Sequence, residues 1–346
     1  MTSSSSARRR LLCGPEDTSV LYLHRQHVSN NIWEGVLTED VSCRRYKGII
    51  WYVPIHPRVL AVIDEMGFGG ILRCGQPKDI DHHLIIVLIE RWRPETHTFH
   101  FPVGEATMTL EDVEVLWGLK VDGDALTGYL GFIPDAVDLK EMVWKQTSLS
   151  NQLKIELSDV HHQYIYVQRA RVYCLLLLGG LMILNASGNK IPLFYLQFFM
   201  DVERCASYSW GGATLACLYH NLCEAALARR IDVGGALTLL HLWAWERIPN
   251  IRPHMVNRFH RTDFVKQDRR GKSSQNWVEY YANHKQDWDN RHNMVWTDVE
   301  YSTKPIATDE YMDWFRRITE VYLTKPGVHA QEGFHETTSS HSYAVN

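Results

Sequence analysis

The sequence predicts a mainly α-helical protein, a compact multi-helix domain with one small β-hairpin. Apolar residues recur at three- and four-residue intervals along most of the chain, which is the pattern of a helix with one buried face. Strands and helices do not alternate as a parallel sheet would require. With 346 residues, 45% of them hydrophobic, the chain is long enough to bury a large core. We expect a disordered N-terminus at residues 1–13, a folded domain at 14–325 and a disordered tail at 326–346.

The first half of the domain is predicted to begin with two helices. One follows Pro57 and stops at the glycines of residues 67–70, because glycine readily adopts the left-handed backbone that ends a helix. Asp79 is the predicted cap of the second helix. Its buried face is expected to extend to Trp92, and Pro94 should stop it, since proline cannot donate a backbone hydrogen bond.

The hairpin and a short capped helix are predicted to come next. Residues 97–101 and 106–109 have strand-like character around a turn at 103–105. Thr109 is then a helix cap, and Asp112 stands where a capping box places its acid.

The second half is predicted to be helical throughout its folded part. Residues 159–184 are expected to form a central buried helix that ends or bends at Gly179 and Gly180. Further helices are predicted at residues 193–202, 210–228, 234–245, 277–288 and 309–323.

Global charge and the cysteines restrict the function classes only weakly. A formal charge of −4 argues against a protein that is basic over its whole surface, as a nucleic-acid coat would be. The seven cysteines are scattered and never form a Cys-x-x-Cys pair, which favours reduced thiols over a zinc finger or disulfide framework. The apolar run at 173–184 is too short to cross a bilayer. We therefore expect no metal, no cofactor and no membrane partner.

A dense charged and aromatic stretch is the most distinctive feature of the chain. Its residues are Glu90, Arg91, Trp92, Arg93, Pro94, Glu95, Thr96, His97 and Phe99, followed in the second half by Trp210, Trp243, Trp245, Glu246 and Arg247. Together these signature residues resemble the signature of the plant mobile domain family, and the resemblance extends over roughly residues 14–325.

This resemblance implies a plant protein of transposon-derived ancestry that acts in the nucleus and can also be present in the cytoplasm. It implies roles in meristem maintenance, genome integrity and silencing of transposable elements. The implied partners are proteins of a nuclear complex, such as a phosphatase-like protein or another mobile domain protein. Family members also carry phosphatase and aminotransferase labels, but the metal-binding motifs and the lysine anchor of those enzymes are missing. We therefore expect no enzymatic activity.

Two interpretations of the signature stretch are open. Arg91 and Arg93 could grip a phosphate or carboxylate, but a buried ion-pair network with Trp92 in the core is favoured. A metal site formed by Glu95, His97 and His100 is disfavoured, because His97 and His100 are three residues apart and point to opposite faces of a strand.

Two further hypotheses concern nucleic acid and metal-dependent hydrolysis. Seven basic residues against two acidic ones lie between 252 and 272, which fits nucleic-acid contact, nuclear import or a solvated linker. The patch consists of Arg258, Arg261, Lys266, Arg269, Arg270 and Lys272. The alternative to an interaction module is a transposon-derived hydrolase or nuclease remnant that uses Asp79, Asp81, Asp122 or Asp124.

Overall fold

A computed structural model of the chain describes residues 15–33, 42–43, 49–74, 80–126, 143–183, 190–227, 229, 232–248 and 308–319. The predicted termini at 1–13 and 326–346, the basic run and the predicted helix at 277–288 lie outside these residues. The α-helices of the described part are α1 (Val28–Trp33), α2 (Pro57–Glu65), α3 (Gly69–Arg73), α4 (His82–Arg91), α5 (Leu110–Trp117), α6 (Gln146–Leu153), α7 (Gln163–Leu177), α8 (Val202–Ser207), α9 (Trp210–Ala226), α10 (Leu237–Arg247) and α11 (Asp309–Ile318).

Strands are few and short, so the predicted mainly α-helical class is confirmed. The strands of the described part are β1 (Ser42–Cys43), β2 (Trp92–Arg93), β3 (Thr98–Phe101), β4 (Gly104–Ala106), β5 (Val143–Lys145), β6 (Lys190–Pro192) and β7 (Asp232–Val233). The largest sheet among them has three antiparallel strands in the order β2-β3-β4. β1 pairs with β7 in parallel and β5 pairs with β6 in antiparallel, and neither of these two pairs was predicted.

Helix α2 follows its sequence signals closely. Pro57 occupies the first turn, and the His56 side chain accepts a hydrogen bond from the backbone of Arg58 as the N-cap. Gly67 adopts φ +86° and ends the helix as predicted. Gly70 does not belong to that stop, however, because α3 begins at Gly69.

The close approach of α3 to the end of α5 explains why a glycine stands at position 70. A Cβ atom on Gly70 would lie 2.6 Å from the backbone oxygen of Trp117 and 2.9 Å from the Cα of Gly118. Gly118 itself has φ +63°, the left-handed conformation that closes α5. Two glycines therefore allow the two backbones to touch.

Helix α4 differs from the prediction at both ends. Its N-cap is Asp81, which accepts hydrogen bonds from His83 and Leu84, whereas Asp79 lies outside the described residues. Trp92 is not on the helix but has an extended backbone and starts β2. The helix ends there because Pro94, two residues on, cannot supply the donor that a further helical turn needs.

The hairpin and the α5 cap agree with the sequence prediction. β3 pairs with β4 through Phe99 opposite Ala106, so the turn lies at residues 102–103, slightly earlier than expected. Thr109 and Asp112 form the complete capping box. The sheet gains a third strand because β2 pairs with β3, with Trp92 opposite Phe99.

The central helix α7 begins at Gln163, with His162 as its cap, and not at residue 159. The chain does not break at the glycine pair but continues as a π-helical turn, Leu178–Met182. A Cβ on Gly179 would lie 2.5 Å from Cγ1 of Ile191, so this glycine allows β6 to pack against the turn. Gln163–Met182 is long and apolar enough to cross a membrane, but 67% of its most apolar window is buried inside the protein, as in a core helix.

The later helices are confirmed with shifted boundaries. The segment predicted at 193–202 is a 3₁₀ helix, Leu193–Phe199, followed by the separate helix α8. α9 and α11 begin at the predicted residues, and α10 begins three residues late, at Leu237. Trp210 lies at the centre of this helical body, with its ring stacked on Phe199 at 5.3 Å and edge-on to Phe68 at 4.9 Å.

Candidate functional site

The signature stretch forms a tightly tied region that we call the signature hub, comprising residues 91–107 and the side chains that contact them. Trp92 is fully buried at its centre. Its ring meets Phe99 and Tyr219 edge-on at 4.8 and 4.9 Å, and its Nε1 donates to Cys223 Sγ at 3.3 Å. The prediction that Trp92 belongs to the core is confirmed.

A polar chain runs beneath Trp92 from the buried guanidinium of Arg93. Arg93 Nη2 donates to Ser29 Oγ at 3.2 Å, and Ser29 Oγ lies 2.9 Å from His27 Nδ1. His27 Nε2 lies 2.6 Å from the backbone oxygen of Trp92. Since that oxygen only accepts, Nε2 donates to it, and His27 Nδ1 then accepts from Ser29.

This arrangement suits a neutral His27, because each ring nitrogen has the partner that the neutral ring requires. Burial lowers the pKa of His27 well below its usual 6.5, and the charge of Arg93 lowers that pKa further. Arg93 also approaches His24 Nδ1, at 3.4 Å. The N-terminal segment therefore provides much of the environment of a residue more than sixty positions away.

The other residues of the stretch hold the chain around the β2–β3 loop. Arg91 donates to the backbone oxygen of His100 at 2.9 Å and lies over the Phe101 ring. Glu95 Oε1 accepts from the backbone of Leu23 at 2.7 Å. The bonds of Arg91 and Glu95 each join a side chain to the backbone of another segment. The predicted pairing of Arg91 or Arg93 with an acid stays a prediction.

His97 closes the loop in a left-handed backbone conformation that is uncommon for residues other than glycine. Its φ is +54°, and it is the non-glycine residue of the described part with a positive φ. Its backbone donates to the oxygen of Arg93 at 2.8 Å, and its exposed ring stacks on Tyr219 at 5.6 Å. The stack against α9 helps to offset the strain of the left-handed backbone.

His100 is the centre of a second polar cluster that joins the hairpin to α11. Its Nδ1 lies 2.7 Å from Thr319 Oγ1, and its Nε2 lies 3.4 Å from Glu105 Oε2. Tyr311 on α11 donates to Glu105 Oε1 at 3.1 Å. The hydrogen bond from His100, with those from Thr98 and Tyr311, lowers the pKa of Glu105 to about 2.

The three residues weighed as metal ligands are directed to different neighbours. Glu95 bonds to the N-terminal segment, His97 stacks on α9 and His100 contacts α11. Among the residues that the structure describes, no group of three His, Cys, Asp or Glu side chains is arranged to hold a metal ion.

Among the residues of the hydrolase hypothesis that the structure describes, Asp81 caps a helix, and Asp122 and Asp124 lie in one surface loop. Asp81 caps α4, and Asp79 lies outside the described residues. Asp124 forms a junction with the chain before α9: its backbone N donates to Ser207 and its backbone oxygen accepts from Ser209, both at 2.9 Å. Asp122 lies on the surface in the same loop.

The same junction explains two further glycines. Gly123 has φ +107°, and a Cβ there would lie 2.1 Å from the Ser207 oxygen. The backbone of Gly211 donates to the oxygen of Lys120 at 2.7 Å. Segments that lie about ninety residues apart are therefore joined by their backbones, and a side chain at either glycine would force them apart.

The signature residues of α10 pack on the hub and on α5. Trp243 is buried with its ring 5.2 Å from that of Phe99. Trp245 lies 4.1 Å from the ring of His241, and Arg247 forms an ion pair with Asp112, the capping acid of α5. Glu246 is half-buried at the end of the same helix. The hub, α5 and α10 thus form one packed unit.

The sequence predicts a helix at 309–323 but does not indicate the partners that complete the hub. No local pattern assigns such a role to His24, His27, Ser29 or Thr319. Their contacts with the hub span 64 to 219 positions. No local periodicity carries such information.

Comparison with known proteins identifies the family of the chain. The family model described as "Plant mobile domain" matches residues 67–268. Three Arabidopsis thaliana proteins each match over 69% of this chain: Protein MAIN-LIKE 1 at 34% identity, Serine/threonine-protein phosphatase 7 long form homolog at 36% and Protein MAINTENANCE OF MERISTEMS at 30%. The matches cover 50%, 19% and 52% of those proteins, so the chain spans at most about half of their length. No solved structure matches the chain.

Proposed function

Because this chain belongs to the plant mobile domain family, we propose that it is a non-catalytic interaction module of a nuclear complex that supports meristem maintenance, genome integrity and the silencing of transposable elements. The name of one relative, MAINTENANCE OF MERISTEMS, supports the meristem role. The proposed partners are proteins, among them a phosphatase-like protein or another mobile domain protein.

One observation carries the non-catalytic part of this proposal: the signature residues are occupied in holding the fold together. Trp92 and Trp243 are core side chains, Arg93 and Glu95 hold the N-terminal segment, and Arg247 holds α5. A catalytic group needs a side chain directed at a substrate, with partners that tune its proton affinity. The groups with lowered or raised pKa in the hub face structural neighbours instead.

An activity assay on the purified chain tests this part directly. We expect no hydrolysis of an aryl phosphate or of single-stranded DNA with Mg²⁺ or Mn²⁺ present. The matched variants are Asp122→Asn and Asp124→Asn, which change exposed carboxylates of the hydrolase hypothesis. Turnover that either variant abolishes, while its melting temperature stays unchanged, would contradict the proposal.

The interaction part is tested by recovery from plant nuclei. Tagged chain should be found in the nucleus and should co-purify with a defined set of proteins. Those proteins should also be recovered after nuclease treatment, because the proposed contacts are between proteins. A tagged chain that stays in the cytoplasm, or that loses all its partners after nuclease, would contradict it.

A second candidate function is direct nucleic-acid binding, which the basic run between residues 252 and 272 favours. Affinity carried by phosphate contacts falls steeply as salt rises. The triple change Arg269→Ala, Arg270→Ala and Lys272→Ala should then flatten the salt dependence, because binding with fewer phosphate contacts releases fewer counterions. If the run serves import instead, the same variant should move to the cytoplasm and bind nucleic acid no differently.

A further inference from the structure

Helix α11 is attached to the hairpin by a small number of contacts, and a hydroxyl group lies among them. Phe315 and Ile318 are buried, and Tyr311 donates to Glu105. The last contact is made by Thr319, the C-cap of the helix, which is 3% exposed. Its Oγ1 lies 2.7 Å from Nδ1 of the buried His100. The hydroxyl therefore lies in the interface that holds α11 in place.

The residues before this hydroxyl have the charge pattern of a phosphorylation site. Arg316 and Arg317 stand three and two positions before Thr319, and many protein kinases select their acceptors by arginine at these positions. Both arginines are exposed. Arg316 pairs with Asp313 at 3.3 Å, but both side chains are more than half exposed, so that pair is weak.

We propose that Thr319 is a phosphorylation site and that its modification releases α11 from the hairpin. The kinase would transfer the γ-phosphoryl group of ATP. A bond forms between Thr319 Oγ1 and phosphorus, the bond from phosphorus to the ADP oxygen breaks, the hydroxyl proton passes to the kinase and ADP leaves. The product carries a charge of about −1.5 to −2 at neutral pH.

When α11 is packed on the hairpin, the surroundings of Thr319 are unfavourable for the negative charge of a phosphate group. Thr319 faces His100, and on the far side of the same imidazole lies the carboxylate of Glu105, which is ionised over the physiological range. The guanidinium of Arg91 donates to the backbone oxygen of His100. Burying a dianion at a site that is 3% exposed is strongly unfavourable.

The kinase can reach Thr319 only when α11 opens. Local openings of this kind require less free energy than global unfolding when an element has few buried contacts. Phosphorylation of the open state would then prevent the helix from docking again, so the modification acts as a trap. The rate of phosphorylation should therefore increase when the docking contacts are weakened.

The experiment uses the full-length chain, Mg²⁺ and ATP, and the catalytic domain of a kinase that selects arginine at these positions. Mass spectrometry locates the phosphate, and hydrogen exchange is followed over residues 308–319. We expect phosphate on Thr319 and exchange about tenfold faster in α11 of the phosphorylated chain. Thr319→Val should remove the phosphate. The variant with Arg316→Ala and Arg317→Ala should lose most of it while keeping its stability, because both side chains are exposed.

A fourth variant tests whether opening limits the reaction. Phe315→Ala deletes a fully buried ring of the docking face and should raise the rate of phosphorylation about tenfold. If that variant does not fold, Tyr311→Phe removes only the hydrogen bond to Glu105 and should raise the rate to a smaller extent. The proposal would be overturned if Thr319 carried no phosphate in Phe315→Ala or, where that variant does not fold, in Tyr311→Phe. Phosphorylation that leaves exchange in α11 unchanged or slower would overturn it equally.

Discussion

The two buried tryptophans at the centres of this protein, Trp92 and Trp210, are held in different ways. Both have no solvent exposure. Trp210 is surrounded by aromatic rings, and its Nε1 donates to the backbone of Cys205, five residues away. Trp92 also meets the rings of Phe99 and Tyr219, but buried polar groups lie beside it, and its hydrogen-bond partners Cys223 and His27 are 131 and 65 residues away.

The difference shows what each region depends on. The Trp210 centre depends on the volume of apolar side chains from neighbouring elements, so its stability should vary little with pH. The signature hub depends on hydrogen bonds among buried polar side chains, which are costly to leave unmade. Its stability should therefore vary with protonation and with the presence of distant segments of the chain.

Loss of either ring should produce the largest effect. We expect Trp92→Ala and Trp210→Ala each to lower the free energy of unfolding by about 3–5 kcal/mol, because each leaves a large buried cavity. Urea unfolding followed by circular dichroism measures both. Trp92→Phe and Trp210→Phe keep most of the volume and serve as controls. A loss below about 1 kcal/mol for either alanine variant would contradict the assignment of that ring to the core.

The backbone contact between α3 and α5 should come next in size. Gly70→Ala places a methyl group 2.6 Å from the Trp117 oxygen, and the helices must separate, for a loss of about 1–3 kcal/mol. Gly67→Ala is the matched control, since it has open space around the new methyl and only the strain of φ +86°. A loss below about 1 kcal/mol for Gly70→Ala would show that the close contact does not matter.

Acid should distinguish the two tryptophan centres. The pKa of folded His27 lies well below its usual 6.5, so its contribution to stability is present above 6.5 and is lost as pH falls below it. The slope reaches at most about 1.4 kcal/mol per pH unit. His27→Gln should remove this part of the pH dependence, whereas Trp210→Phe should leave it unchanged. An identical pH profile in His27→Gln would refute the buried neutral role.

The same measurement at lower pH tests the α11 interface. The pKa of Glu105 lies at about 2, below its usual 4.5, so its stabilising effect is present above 4.5 and is lost as pH falls toward 2. Glu105→Gln should flatten the profile in that window only. A flat profile in the unchanged protein between these two values would contradict the hydrogen bonding assigned to Glu105.

The smallest expected effect concerns His97. His97→Gly relieves the left-handed backbone but loses the stack on Tyr219, so the net change should lie within about 0.5 kcal/mol. His97→Val loses the stack and places a β-branched side chain on the strained left-handed backbone. It should therefore be less stable than the glycine variant by about 1 kcal/mol. The order of the two melting temperatures tests the interpretation. A valine variant as stable as the glycine variant would refute the strain.

Local sequence determined the elements that depend on local chemistry. Pro57 and Gly67 bound α2, Thr109 and Asp112 cap α5, and the burial of Trp92 follows from the apolar face before it. The physical reason is that caps, glycine stops and amphipathic periods act within a few residues along the chain. At the glycine pair of α7 the α-helix ends as predicted, but the chain continues as a π-helical turn against Ile191 of β6, which no local pattern specifies.

Only the tertiary structure decided which distant groups complete the hub. Arg93 meets Ser29, His100 meets Thr319, and Gly70 meets Gly118. These contacts form when packed helices bring separate segments together, and nothing in the residues around Arg93 or His100 specifies the partner. The family signature could be recognised from the sequence. Its role as the place where the N-terminal segment, the hairpin, α9 and α11 meet depends on long-range packing and buried hydrogen bonds, which have no period along the chain.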